Sequence, residues 1–186
     1  MDFEIEQKKI VELVDEYEGG RTWGKFTGDV CCRIIKRHVE NHLPEQFRAV
    51  GPNVYVENNP TEFDILIVNK KDSPKEYTSM YPLDGIHCII EIKKSGLFGG
   101  RKDLLRVTRK IREGFLSVTK LKPEVKCAYL TVKEVAKPKN KSSINYFEET
   151  RNGLSPYEAF VLQEHRTKQI VKGEWKRFIN YLFPPK

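Results

Sequence analysis

The chain has 186 residues and 39% hydrophobic content, enough for one globular domain with a single core and too little to suggest a second. Thirty-three Lys and Arg against 26 Asp and Glu leave a formal charge of +7, which favours an anionic partner such as nucleic acid without naming it. No stretch approaches the roughly 20 apolar residues of a membrane span, the N-terminal Met1-Asp2-Phe3-Glu4 is too acidic for a signal peptide, and the four cysteines lack zinc-site or disulfide spacing.

These features predict a cytoplasmic protein with no membrane partner, in which Cys31, Cys32, Cys88 and Cys127 are small buried hydrophobes. Along the chain, Ile5, Ile10, Leu13, Val14 and Tyr17 recur at near-helical intervals, so a short helix is expected over 3–17 before the Gly19-Gly20 break. A second helix should run from Thr27 or Gly28 to Leu43, ahead of Pro44. The period then changes to that of strands, over 50–57, 62–69 and 85–93, the last two apolar on both faces as in a covered sheet. Residues 70–84, polar and aperiodic, read as a loop.

Leu104, Val107, Ile111, Phe115 and Val118 define a helix over 101–121, weakened only at Gly114. Strands follow at 127–132 and 159–163, a lysine-rich loop at 133–143, and a closing helix over 174–183 before Pro184-Pro185. This order implies an α/β fold in which the long helix crosses over to a strand beside the third.

Three charges interrupt the apolar strands. Asp64 heads one, while Glu91 and Lys93 sit near the end of another, where burial is expensive. Residues two apart on a strand share a face, so Glu91 and Lys93 must emerge together, with Ile89 and His87. Two converging carboxylates suit a hard cation such as Mg²⁺ (or Mn²⁺), and the carbonyl oxygen of Ile92 could add a ligand. Such an ion can activate water for phosphodiester hydrolysis, with the Lys93 ammonium orienting the attacking water or neutralising developing charge.

Asp64, a variable loop and Glu91-Ile92-Lys93 resemble the D…ExK signature of the PD-(D/E)XK nuclease superfamily, and residues 28–132 repeat its core order of helix, three strands, helix and strand. Leu43-Pro44-Glu45-Gln46-Phe47 and the strands 63–68 and 89–95 are similar to uncharacterised bacterial domains of that superfamily. Phe63 stands where the motif's name has proline. The resemblance implies a restriction-endonuclease-like αβββαβ core, a central mixed sheet flanked by helices, within a single domain spanning 1–186. Residues 3–17 and 158–183 would be additions to that core. It further implies a Mg²⁺-dependent DNA endonuclease with Asp64, Glu91 and Lys93 as catalytic residues, and Asp64, Glu91 and the Ile92 carbonyl on the metal.

Many members carry a further acid on the first core helix; Asp29 is the nearest candidate and Glu40 the second, although Asp29 sits where N-cap residues are favoured and capping is its commoner role. His87 shares the site's face by parity, although a satisfied core histidine is the commoner outcome, and His38 with His42 lacks a further ligand to complete a zinc set. Lys94, Arg101, Lys102, Arg106, Arg109 and Lys110 form a candidate phosphate-binding surface, or else a solvated face. Two other readings compete: a catalytically inactive nucleic-acid-binding or assembly module of the same fold, and a protein whose basic surface meets an acidic partner. A homodimer is compatible with each.

Overall fold

The computed structural model describes residues 2–17, 24–95, 101–133, 146–164 and 168–185, with side chains described throughout these except at 24–27, 95, 101–103 and 146–147. Helix α1 (Phe3–Glu16) begins where the Asp2 carboxylate accepts hydrogen bonds from the Glu4 and Ile5 N–H groups. Helix α2 (Gly24–Glu40) follows, starting about one turn earlier than its apolar pattern suggests. Asp29 therefore lies inside α2 and does not cap it.

The expected strand over 50–57 is two strands, β1 (Phe47–Val50) and β2 (Val54–Val56). Between them Gly51 has φ +132°, and a Cβ there would overlap the carbonyl oxygen of Asp64. The expected strand over 62–69 also breaks, into β3 (Glu62–Phe63) and β4 (Ile65–Asn69), with Asp64 at the break. Residues 70–84 contain a short strand, β5 (Met80–Tyr81), and a 3₁₀ turn at Leu83–Gly85.

Beyond them run β6 (Ile86–Ser95), α3 (Arg101–Thr119), β7 (Lys126–Lys133), α4 (Tyr146–Leu154), β8 (Glu158–Gln163) and α5 (Glu174–Leu182). Helix α4 is an addition to the expected elements; it spans only nine residues and carries Asn152-Gly153 in its last turn, so its pattern is weak. Of the loop expected over 133–143, only Lys133 is described, as the end of β7; the rest lies outside the described residues.

A five-stranded sheet has the order β1-β4-β6-β7-β8. Its first two pairings are antiparallel and its last two parallel, so α3 makes the expected crossover from β6 to a parallel neighbour. A smaller sheet has the order β3-β2-β5. The fold is thus a mixed α/β sandwich with a central sheet flanked by helices.

Strand alternation sends Ile65, Ile67, Cys88, Ile90, Ala128 and Leu130 into one core with α1, α2 and α5. Leu66, Val68, Ile89, Cys127 and Tyr129 enter a second core with α3 and the small sheet. All four cysteines are buried free thiols, as expected. Among the described residues no helix is long and apolar enough to cross a membrane.

Candidate active site

Because β4 begins only at Ile65, paired with Ile90, the stretch of β6 beyond Ile90 has no β4 backbone beside it. Asp64 takes that place with its side chain: Oδ2 accepts the Ile92 N–H at 2.7 Å. A strand residue projects its N–H and C=O toward the same edge, so the Ile92 carbonyl faces the Asp64 side as well. The Cys32 thiol, from α2, also acts on Asp64, favouring its charged form. The β6 backbone therefore fixes this carboxylate at the strand end.

Glu91 and Lys93 emerge from the opposite ladder positions, pairing in register with Tyr129 and Thr131 of β7. The Lys93 Nζ donates to Glu91 Oε1 at 2.6 Å and lies 3.8 Å from Asp64 Oδ2, so one ammonium reaches both carboxylates. Burial raises the Asp64 pKa, opposed by Lys93, the Ile92 N–H and Cys32. Burial and the Asp64 charge push Glu91 up to about 7 against the pull of Lys93 and Lys110. For Lys93 burial works against the charged form, but Glu91 and Asp64 outweigh it and hold its pKa above the ordinary value. The ammonium stays protonated at neutral pH.

These three side chains open onto a cavity of about 660 Å³ between β3, β6 and α3. Arg106 and Lys110 line it from α3. Gly114 explains itself here, since a Cβ would come within 3.1 Å of Thr61 and 3.6 Å of Phe63; the glycine lets α3 lie close over the strand that carries Asp64.

The other expected site residues separate. Arg109 pairs with Glu113 at 2.9 Å, is 81% exposed, and lies with Arg112 along a different groove, between α3 and α4. Lys94 follows Lys93 on β6 and so belongs to the other face of the sheet. The side chains of Arg101 and Lys102 lie outside the described residues. Asp29 does not line the cavity, although it sits one turn before Cys32 on α2. Glu40 pairs with Lys36 at 2.9 Å near the far end of that helix.

His87 does not share the face of Glu91. Ile67 pairs with Cys88 but Val68 with Ile86, so a bulge leaves His87 out of the ladder and reverses the parity of everything before it. Its ring instead stacks between Phe47 and Phe183, with centroids at 4.5 and 5.6 Å, and burial lowers its pKa. His38 and His42 both donate to the buried Glu6 carboxylate, at 2.9 and 2.6 Å, so they are satisfied core groups. Among the described residues no cluster of three or more His, Cys, Asp or Glu could hold a metal.

Sequence reasoning missed two residues that act on Asp64. Glu62 lines the cavity, raises the Asp64 pKa, and accepts from the Tyr55 hydroxyl at 2.6 Å. Its only signal was its position two before Asp64. Cys32 carried none, since a thiol within an amphipathic helix reads as packing.

Fold and geometry together place Asp64, Glu91 and Lys93 at a strand switch within a restriction-endonuclease-like fold. Comparison with solved structures finds NucC at the same fold level. The cAAA-bound form of NucC from P. aeruginosa ATCC27853 matches with TM-score 0.62 and 14% identity, over 86% of this chain and 74% of that one. NucC from E. coli MS115-1 matches in its cAAA-bound form with TM-score 0.65, 14% identity and coverage of 86% and 73%. Its apo form matches at 0.53, also 14% identical, over 84% and 74%. No protein-family profile and no curated protein matches the chain.

Proposed function

We propose that the chain is a Mg²⁺-dependent DNA endonuclease that hydrolyses phosphodiester bonds at the Asp64, Glu91 and Lys93 cluster. The observation that carries this reading is the reach of one ammonium to two partly buried carboxylates at the mouth of a cavity lined by Arg106 and Lys110. The likeness to NucC supports a nuclease fold.

The donor set fits Mg²⁺. Asp64, Glu91 and the Ile92 carbonyl offer oxygen only, and with Lys93 counted the cluster keeps a net negative charge. Two side-chain carboxylates leave room for the several waters that Mg²⁺ retains. Mn²⁺ shares that preference for oxygen. Bound there, the ion supplies Lewis acidity toward the scissile phosphate and its attacking water.

The protein's own residues do the rest. The Ile92 N–H holds Asp64 in place, so it does not have to reorganise during the reaction. Lys93 keeps its proton and acts as a fixed positive charge where negative charge develops on the phosphate. Arg106 and Lys110 hold the flanking phosphates without reading sequence.

Supercoiled plasmid incubated with Mg²⁺ or Mn²⁺, with and without EDTA, tests the reading. Cleavage that requires the metal and disappears in Asp64→Ala and Lys93→Ala is the expected result. Salt-sensitive binding without cleavage would leave the inactive nucleic-acid-binding module, and no binding at low salt would leave an acidic protein as the partner.

A further inference from the structure

The cavity beside the cluster offers more than a phosphodiester requires. Phosphates on the outside of a regular duplex are met by a cationic surface and need no apolar recess. Here the half-buried Val107 lines the same space as Asp64, Glu91 and Lys93, with Phe63, Ile111 and Phe115 of the second core forming its apolar wall. At about 660 Å³ the volume falls within the roughly 300–1,000 Å³ in which proteins enclose a small organic ligand.

The polar groups are sorted. Arg106 and Lys110 on α3 suit phosphate, whereas Glu62 on β3 presents a carboxylate held by the Tyr55 hydroxyl. A carboxylate repels phosphate but accepts from a base amino group, as acidic side chains do from cytosine N4. An apolar recess, a carboxylate acceptor and two cations beside one hydrolytic cluster match the parts of a single nucleotide.

We infer that the recess receives one unpaired nucleoside next to the scissile phosphate, its base against Val107 and its amino group toward Glu62. Single-stranded or locally opened DNA is then the preferred substrate. Unstacking a paired base costs free energy, so strands already open enter more readily. This inference rests on the endonuclease reading for its substrate, but its test does not depend on cleavage alone.

Oligonucleotides carrying one 2-aminopurine, single-stranded and duplex, are titrated with the protein in Ca²⁺, and cleavage of the same strands is followed in Mg²⁺. Emission should rise severalfold at one position of the duplex, and single strands should be cut at least tenfold faster. Val107→Trp, which fills the recess, should abolish the rise and slow single-strand cleavage tenfold or more, with affinity within twofold because Arg106 and Lys110 remain. If that variant does not fold, Glu62→Gln carries the test: it should lower the preference for cytosine over thymine at that position.

Metal-dependent cleavage with no emission change, or with Val107→Trp and Glu62→Gln indistinguishable from the parent protein, would overturn the nucleoside site and leave the endonuclease standing. An emission rise abolished by Val107→Trp without cleavage of any substrate would keep the site and overturn the endonuclease. Neither signal would overturn both.

Discussion

In the proposed endonuclease, Lys93 carries the sharpest prediction. Its Nζ lies 2.6 Å from Glu91 and 3.8 Å from Asp64, so its removal leaves two carboxylates able to hold a cation but no fixed positive charge beside the phosphate. Lys93→Ala is expected to lower kcat by about 10²–10³, the cost of removing one preorganised electrostatic group, while DNA affinity changes little. Lys93→Arg should not rescue cleavage, because a planar fork cannot replace a compact ammonium between two carboxylates. Single-turnover rates beside filter-binding affinities check both. Glu91 sets a pH dependence. Its folded-state pKa, raised by burial and Asp64 to about 7, lies above the ordinary carboxylate value, so its protonation stabilises the metal-free fold at low pH and that contribution is lost as pH rises through about 7. Mg²⁺ competes for the same carboxylate. At 100 times its Kd the ion should add about 2.7 kcal/mol, roughly 5–10 °C in Tm for a chain this long. This gain should shrink below pH 7 and vanish in Asp64→Asn, as thermal melts with and without EDTA would register.

Helix α3 illustrates how an element divides charges that look continuous in the sequence. The run Arg106, Arg109 and Lys110 reads as one basic surface, yet only Arg106 and Lys110 line the cavity, while Arg109 turns to Glu113 beside another groove. Replacing both cavity cations by alanine should weaken DNA binding uniformly across sequences and flatten log K against log salt by about 2, near 0.9 for each phosphate no longer neutralised. Arg109→Ala should leave affinity and slope unchanged. Equal effects at all three positions would mean that the helix is a diffuse cationic surface. Helix positions were legible from the apolar period; the direction of each cation was not, because it depends on how α3 is rotated against β3 and on the Gly114 contact that brings it close.

The three helices on the other side of the sheet are joined through one buried carboxylate. Glu6 of α1, 4% exposed, accepts from His38 and His42 at 2.9 and 2.6 Å and from the Trp175 indole at 2.8 Å. Burial pushes its pKa up, but the hydrogen bonds from His38, His42 and Trp175 prevail and hold it below the usual value. A lowered carboxylate contributes stability above the ordinary carboxylate range and loses it as pH falls through the folded-state pKa. Glu6→Gln is therefore expected to cost about 2 kcal/mol at neutral pH, the scale of leaving buried donors without their charged acceptor. Denaturant melts should show the two proteins converging in acid. The cluster is remote from the cavity, so cleavage below the melting range should not change.

Asp64, Glu91 and Lys93 could be singled out from the sequence because charge within an apolar strand is costly and period-two alternation already places Glu91 and Lys93 on one face. The αβββαβ order and the parallel crossover through α3 were likewise written in the periods of the apolar residues. Tertiary structure alone decided where these strands stop. The switch of the chain from the small sheet to the large one at Asp64, the bulge that turns His87 away, and the approach of Gly51 to the Asp64 carbonyl each depend on backbone pairing between segments distant in the chain. Glu62 and Cys32 join the site for the same reason. A sequence records which residues are apolar and at what spacing, but register, bulges and helix rotation are set by contacts that no local pattern contains.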